Sequence, residues 1–175
     1  MKRVSVVLLL FVLMMEVAAV AQMMGPPAPE LKKLDYFVGT WAMDGDVKPG
    51  PMGAGGKSTG TGKYEWMEGN YFMTSQTSFS GVMGTGKETA YYGYDANKKV
   101  YNYDSFSSVG EHNIAVGTFE GDTWTWAFDV PMGGSTAKGR FVMKETSPTF
   151  YTYKLEFSQD GTNWNLIMDG KATKK

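Results

Sequence analysis

The sequence predicts an all-β fold, namely an antiparallel up-and-down β-barrel of about ten strands with one short N-terminal helix. Short aromatic strands follow one another through residues 58–169, with turns at the spacing typical of a sandwich or barrel. No second helical period follows residue 37, which excludes βαβ units. A barrel is favoured over an open sheet because closure removes the exposed edges through which strands aggregate.

The first segment, residues 1–21, has the pattern of a signal peptide. Lys2 and Arg3 give a basic start, residues 4–15 are largely apolar, and Ala21 ends an A-x-A cleavage site. The apolar run is shorter than the roughly 20 residues that a bilayer span needs, so no transmembrane span is expected. We therefore expect export, to the periplasm or out of the cell, after cleavage near Ala21.

The rest of the chain is predicted to be a leader followed by one domain. Residues 22–29 are rich in Pro, Gly and Met and are expected to be disordered in part, and residues 30–175 form the barrel domain. A short helix is predicted over 30–37, with Pro29 suited to its first position. Its apolar side chains would cover one open end of the barrel; they are Leu31, Leu34 and Phe37.

Strands are predicted wherever apolar and polar residues alternate. The first has Trp41, Met43 and Val47 on one face, and a second ends with Tyr64 and Trp66 on a common face. Turns are expected at Gly69-Asn70, at 84–86 and at Asp160-Gly161. The predicted strands, apart from the one ending at Trp66, are 40–48, 71–82, 87–95, 100–109, 113–119, 123–130, 138–145, 150–157 and 164–171.

Composition excludes several classes of function. The 175-residue chain has no Cys, which excludes disulfides, thiol nucleophiles and thiolate metal sites. Its net charge is −1 and becomes −2 without Lys2, Arg3 and Glu16. No basic stripe is present, so a nucleic-acid partner is not expected. A single His cannot build a tetrahedral zinc site, and neither a metal nor a cofactor is predicted.

Aromatic side chains are the candidates for contact with a ligand, because they would turn toward the barrel interior. The same residues fill the core of any β fold, so a packed interior is the alternative. Asp104 shares its strand parity with Phe106 and is predicted to point inward, either as a polar anchor for a ligand or as a structural carboxylate bonded to a neighbouring strand. The predicted ligand-binding residues are Trp66, Tyr92, Tyr103, Asp104, Trp124, Trp126 and Tyr153.

Two further residues bear on the ligand. His112 is the single His and lies in a predicted turn, where a solvent-facing role is favoured over that of a haem ligand or general base. Arg140 shares a face with Lys138 and Lys144 and is expected to point outward. An outward Arg140 argues against a fatty acid as the ligand. Small lipid-carrying barrels often bind the carboxylate of a fatty acid with an Arg inside the barrel.

Several motifs together resemble calycin-type barrels, which include lipocalins, fatty-acid-binding proteins and nitrobindins. The start Leu31-x-x-Leu34 with Gly39-x-Trp41 is similar to theirs. The later motifs resemble those of an uncharacterised family of secreted bacterial β-barrels in that superfamily; they are Gly69-Asn70-Tyr71-Phe72, Gly93-Tyr94-Asp95 and Asp104-Ser105. The resemblance implies a barrel of eight to ten strands and no established activity. Nitrobindins carry haem on a late His, whereas no His follows His112 here.

Three functions are compatible with these observations. The favoured one is an exported protein that binds a small apolar or amphipathic ligand inside the barrel. The second is a structural or interaction module of the cell envelope with a solid interior. The third is a hydrolase- or isomerase-type enzyme using Asp104 or His112 inside the barrel. The ligand and the oligomeric state are left open.

Overall fold

Ten antiparallel strands close into a single barrel. A computed structural model describes residues 25–50, 53–82 and 84–175. Each strand pairs with its neighbours in sequence, and the last strand pairs with the first to close the barrel. The predicted fold class is therefore confirmed. The predicted signal peptide and the first residues of the leader lie outside the described residues.

The elements follow one another through short connections. A 3₁₀ helix spans Pro29–Phe37 and precedes the strands. The strands are β1 (Gly39–Val47), β2 (Gly56–Trp66), β3 (Met73–Gly81), β4 (Gly84–Asp95), β5 (Val100–Ser107), β6 (His112–Glu120), β7 (Thr123–Met132), β8 (Ser135–Ser147), β9 (Phe150–Ser158) and β10 (Asn165–Lys174).

The alternation in the sequence determines which side chains face the barrel interior. Trp41 and Val47 are buried on the inner face of β1, whereas Asp44 between them is exposed. On β7, Trp124 and Trp126 are buried and Ala127 is exposed. Successive residues of a strand point to opposite faces of the sheet. Alternation of apolar and polar residues therefore produces an apolar inner face and a solvent-exposed outer face.

The N-terminal helix closes one end of the barrel. Leu31, Leu34 and Phe37 are all buried, and a spacing of three residues places them in one line along a 3₁₀ helix. The backbone carbonyl of Phe37 accepts a hydrogen bond from Trp41 Nε1 at 2.7 Å, which ties the helix to β1. The predicted covering role of this helix is observed. Among the described residues, no helix is long and apolar enough to cross a membrane.

Several boundaries differ from those predicted, and His112, predicted to lie in a turn, begins β6. Residues 84–86 were predicted to form a turn but begin β4, because the ladder between β3 and β4 extends to Gly81 opposite Gly84. The last residues of the leader contact the barrel. Ala28 packs against the core, and the Gly25 carbonyl accepts a hydrogen bond from the Tyr71 hydroxyl.

Candidate functional site: the cavity inside the barrel

A cavity of about 710 Å³ lies inside the barrel. Phe37 of the helix bounds it at the closed end, and Glu111, Asn113 and Pro131 line its opposite end. That opposite end carries the connections that follow β1, β3, β5, β7 and β9, away from the helix. The volume falls in the range of about 300–1,000 Å³ that is typical of small-molecule sites.

One wall of the cavity is apolar. It is formed by inward-facing side chains of β7, β8 and β9, which are adjacent in the sheet. Such a wall can bind a hydrocarbon or aromatic body through the burial of apolar surface. Its members are Trp126, Phe128, Phe141, Met143, Leu155 and Phe157.

The opposite wall is polar. It is formed by inward-facing residues of β2 to β5, and its members are Tyr64, Thr77, Glu88, Tyr92 and Tyr103. Ser75 and Ser105 are buried on the same strands. The cavity is therefore amphipathic, with hydroxyl groups and one carboxylate facing a largely aromatic surface.

Glu88 is the central polar group of this wall, and its two oxygens each accept a hydrogen bond. Tyr103 Oη donates to Oε1 at 2.9 Å, and Ser105 Oγ donates to Oε2 at 3.1 Å. A carboxylate has about four acceptor positions, so two donors leave capacity for a further donor. The two bonds fix the orientation of the Glu88 carboxylate, which is partly buried.

The surrounding phenols remain protonated over the physiological pH range. Burial raises the pKa of Tyr64 to about 12, with the charge of Glu88 as the next cause. Burial also raises the pKa of Tyr103, and the nearby Glu88 carboxylate raises it further. The pKa of Tyr92 is raised for the same first reason. These hydroxyls can therefore serve as neutral hydrogen-bond donors.

Three aromatic rings beside this wall contact one another. The ring centroids are 5.2 Å apart for Tyr92 and Tyr103, 5.6 Å for Tyr92 and Trp126, and 5.9 Å for Tyr103 and Trp126. We call Tyr92, Tyr103 and Trp126 the aromatic triad. Because all three line the cavity, the triad connects the polar wall with the apolar wall.

The predicted ligand-binding residues are divided between the cavity and the rest of the barrel. Tyr92, Tyr103 and Trp126 line the cavity. Trp124 is fully buried between helix and barrel, with its ring 5.5 Å from that of Phe37. Trp66 donates from Nε1 to Asp35 Oδ1 at 2.7 Å, at the same closed end. Tyr153 faces inward but fills the space beside Gly45 and Gly170.

The inward orientation expected for Asp104 is wrong. Asp104 lies on the outer face of β5, where its carboxylate accepts a bond from His112 Nε2 at 2.8 Å and both side chains are 49% exposed. Phe106, which shares the strand parity of Asp104, is itself on the outer face: it is 54% exposed and stacks on the His112 ring with the centroids 4.6 Å apart. Tyr101 and Tyr103 define the inner face instead.

The outward orientation predicted for Arg140 is confirmed. Its Nε donates to Glu156 Oε2 at 2.7 Å, and the guanidinium lies 4.0 Å from the ring centroid of Trp164. Neither Lys nor Arg is among the described residues that line the cavity. His112 lines the rim of the cavity, but its ring is paired with Asp104, so the cavity offers neither a lysine nor an arginine to a carboxylate ligand.

Glu88 was missed from the sequence, although its parity identifies it. On β4, Glu88 alternates with Lys87 and Thr89 and shares the face of Ala90 and Tyr92, which are buried and cavity-lining respectively. Counting back from Tyr92 in steps of two reaches Glu88. A carboxylate on the inner face of an aromatic strand was therefore visible in the pattern.

Among the described residues, neither the outer face nor a cluster of metal-ligating side chains offers a comparable site. A shallow depression of about 1050 Å³ on the outer face is lined by charged side chains, including Asp46 and Lys57, which form an exposed ion pair at 3.0 Å. Within the described part of the chain, no three His, Asp or Glu side chains converge in a way that could hold a metal ion. The internal cavity is the better candidate.

Comparison with known proteins supports the fold and assigns the family. The crystal structure of Rv2717c from M. tuberculosis is similar with a TM-score of 0.59 and 16% sequence identity, covering 85% of this chain and 99% of that one. At this identity the likeness concerns the fold alone. No curated protein matches the sequence. The family described as "Protein of unknown function (DUF1579)" matches residues 26–174, and the chain therefore belongs to this family.

Proposed function

We propose that this protein is an exported binding protein that holds a small apolar or amphipathic molecule inside its barrel. The observation that carries this proposal is the cavity of about 710 Å³, closed by the helix at one end and lined mainly by apolar and aromatic side chains. A barrel wider than about eight strands leaves an interior space that side chains do not fill. The packed-interior alternative is correspondingly weaker.

The calycin-like character of the barrel and its export belong to the same proposal. The closing helix, Gly39-x-Trp41 and the up-and-down topology support a place among calycin-type barrels. Export rests on the signal-peptide pattern of residues 1–21. N-terminal sequencing of protein recovered from outside the cytoplasm should begin at Gln22, and recovery of the uncleaved chain from the cytoplasm would contradict export.

Binding can be tested with a fluorescent apolar probe and a substitution that fills the cavity. Ala115 is buried, lines the cavity and lies opposite Tyr103 on β5. Ala115→Phe should abolish probe binding, because the added ring occupies the space of the ligand. Val116, its neighbour, is 45% exposed, so Val116→Phe is the matched control and should bind the probe as the unaltered protein does.

Native mass spectrometry of the unaltered protein provides an independent readout. We expect an added mass that is released on denaturation, or a complex with the probe at one-to-one stoichiometry. Absence of both, in protein shown to be folded by circular dichroism, would refute the binding function.

A further inference from the structure

We infer that the ligand is an amphipathic amine, with an apolar body against β7 to β9 and a positively charged head at Glu88. The inference rests on the proposed binding function and specifies the chemistry of the same cavity. It depends on the hydrogen bonds of Glu88, the charges around the cavity and the aromatic triad.

The partners of Glu88 in the structure are neutral. Tyr103 and Ser105 donate one hydrogen bond to each oxygen, and no cation is paired with this carboxylate among the ion pairs of the described residues. Removing a carboxylate from water is costly unless a counter-charge or hydrogen bonds compensate. An ammonium group on a ligand supplies both a counter-charge and the donors that the remaining lone pairs can accept.

The charges around the cavity favour the same sign of ligand. Of the described lining residues, the carboxylates are Glu88, Glu111 and Asp129, and no lysine or arginine is among them. His112 also lines the rim, where its ring is paired with the outward-facing Asp104 at 2.8 Å. Asp129 at the rim is paired with the outward-facing Lys138 at 2.7 Å. Glu88 is therefore the main charge that a ligand head meets inside the barrel. It attracts a cation and repels a carboxylate or phosphate.

The aromatic triad provides a second attraction for a cation. Tyr103 both donates to Glu88 and contacts the rings of Tyr92 and Trp126, so the triad lies next to the carboxylate. A cation near an aromatic face is attracted by the negative charge density of the ring. Because the phenols of Tyr92 and Tyr103 stay protonated, they add no negative charge of their own.

The experiment compares three ligands that share one alkyl chain and differ in the head group: decylamine, decanol and decanoic acid. The affinity of each compound is measured by its ability to displace the fluorescent apolar probe from the purified protein at neutral pH. Decylamine should bind at least about tenfold more tightly than decanol, since a hydrogen bond to a charged partner is worth about one decade of affinity. Decanoic acid should bind most weakly.

Two matched variants locate the effect. Glu88→Gln keeps the shape and removes the charge, so it should lower the affinity for decylamine about tenfold and leave decanol within a factor of about two. Glu68→Gln removes the same charge at an exposed position outside the cavity lining, and it should change the affinity for decylamine less than about threefold. Equal loss in both variants would show that general attraction, and not contact with Glu88, selects the amine.

The outcomes separate this inference from the proposed function. Equal binding of all three compounds, or preference for decanoic acid, would overturn the amine inference and leave a binding barrel. Failure of the probe and of all three compounds to bind the unaltered protein would overturn the binding function itself. Because the head-group comparison uses the unaltered protein, it remains decisive even if Glu88→Gln fails to fold.

Discussion

The six-membered ring of Trp126 covers Gly117, its cross-strand partner on β6. A Cβ atom at Gly117 would lie 2.5 Å from Trp126 Cζ3, closer than a carbon atom can approach. Gly117 therefore allows the indole of Trp126 to lie against the barrel wall. Because Trp126 belongs to the aromatic triad, Gly117 also maintains the arrangement of the triad. The glycine is a requirement of packing and not of backbone conformation.

Gly117→Ala should consequently displace Trp126 into the cavity. We expect a loss of about 1–3 kcal/mol in the free energy of unfolding, as for overpacked interiors, together with weaker probe binding. Denaturant unfolding and tryptophan fluorescence measure both effects. Gly50→Ala is the control, because a Cβ there meets nothing within 4 Å and should leave both quantities unchanged. Unchanged stability and binding in Gly117→Ala would contradict this packing.

Leu34 is the fully buried residue of the closing helix, and its removal should open that end of the barrel. Leu34→Ala is expected to lower the free energy of unfolding by about 2–5 kcal/mol, the range found for buried leucines. Leu166 is 36% exposed, so Leu166→Ala should cost well under half of that amount. Equal losses in the two variants, measured in urea, would show that the helix does not seal the core.

Stability should fall when the pH rises above 10. Burial raises the pKa of Tyr64 and of Tyr153 to about 12, from an ordinary value of 10.0. Since the folded state holds these protons more tightly than the unfolded state, their contribution is complete below pH 10 and is lost between about pH 10 and 12. Unfolding free energies measured from pH 8 to 12 should show this decline, and Tyr64→Phe should make it less steep. A flat profile would contradict the burial of the phenols.

The outer pair of Asp104 and His112 should contribute little to stability or binding. Both side chains are 49% exposed, and exposed ion pairs contribute about 0–1 kcal/mol. Asp104→Asn and His112→Ala, alone and combined, should therefore give a coupling energy below about 1 kcal/mol. Asp104→Asn, which is outside the cavity lining, should leave the probe affinity unchanged. Loss of probe binding in Asp104→Asn would contradict this prediction and show that the Asp104 carboxylate belongs to the binding site.

Three members of the cavity lining, Tyr92, Tyr103 and Trp126, could be predicted because strand parity is local. The alternation around Trp124 and Trp126 indicated their inward direction without any knowledge of their neighbours, and Tyr92 and Tyr103 followed in the same way. Parity does not distinguish a residue that packs against the closing helix from one that lines an empty volume. Trp66 and Trp124 were therefore grouped with the ligand site although both lie at the closed end.

The error at Asp104 has a different cause. Phe106 was used to define the inner face, but an aromatic side chain is also stable on a barrel surface when a neighbour covers one of its faces. The His112 ring does so at 4.6 Å. Only the pairing of β5 with β6, which places Phe106 opposite His112, reveals that arrangement.

By itself, the sequence determined an all-β chain in which the alternating aromatic residues are buried in a common interior. It also determined a short helix whose apolar residues, spaced by three, pack against that interior. Both follow from local periodicity and the burial of apolar side chains. The tertiary structure decided what the interior contains. The cavity, the hydrogen bonds of Glu88 and the positions of glycines beneath Trp126 and Tyr153 depend on which strands are neighbours and in which register, and those long-range pairings are not encoded in any one segment.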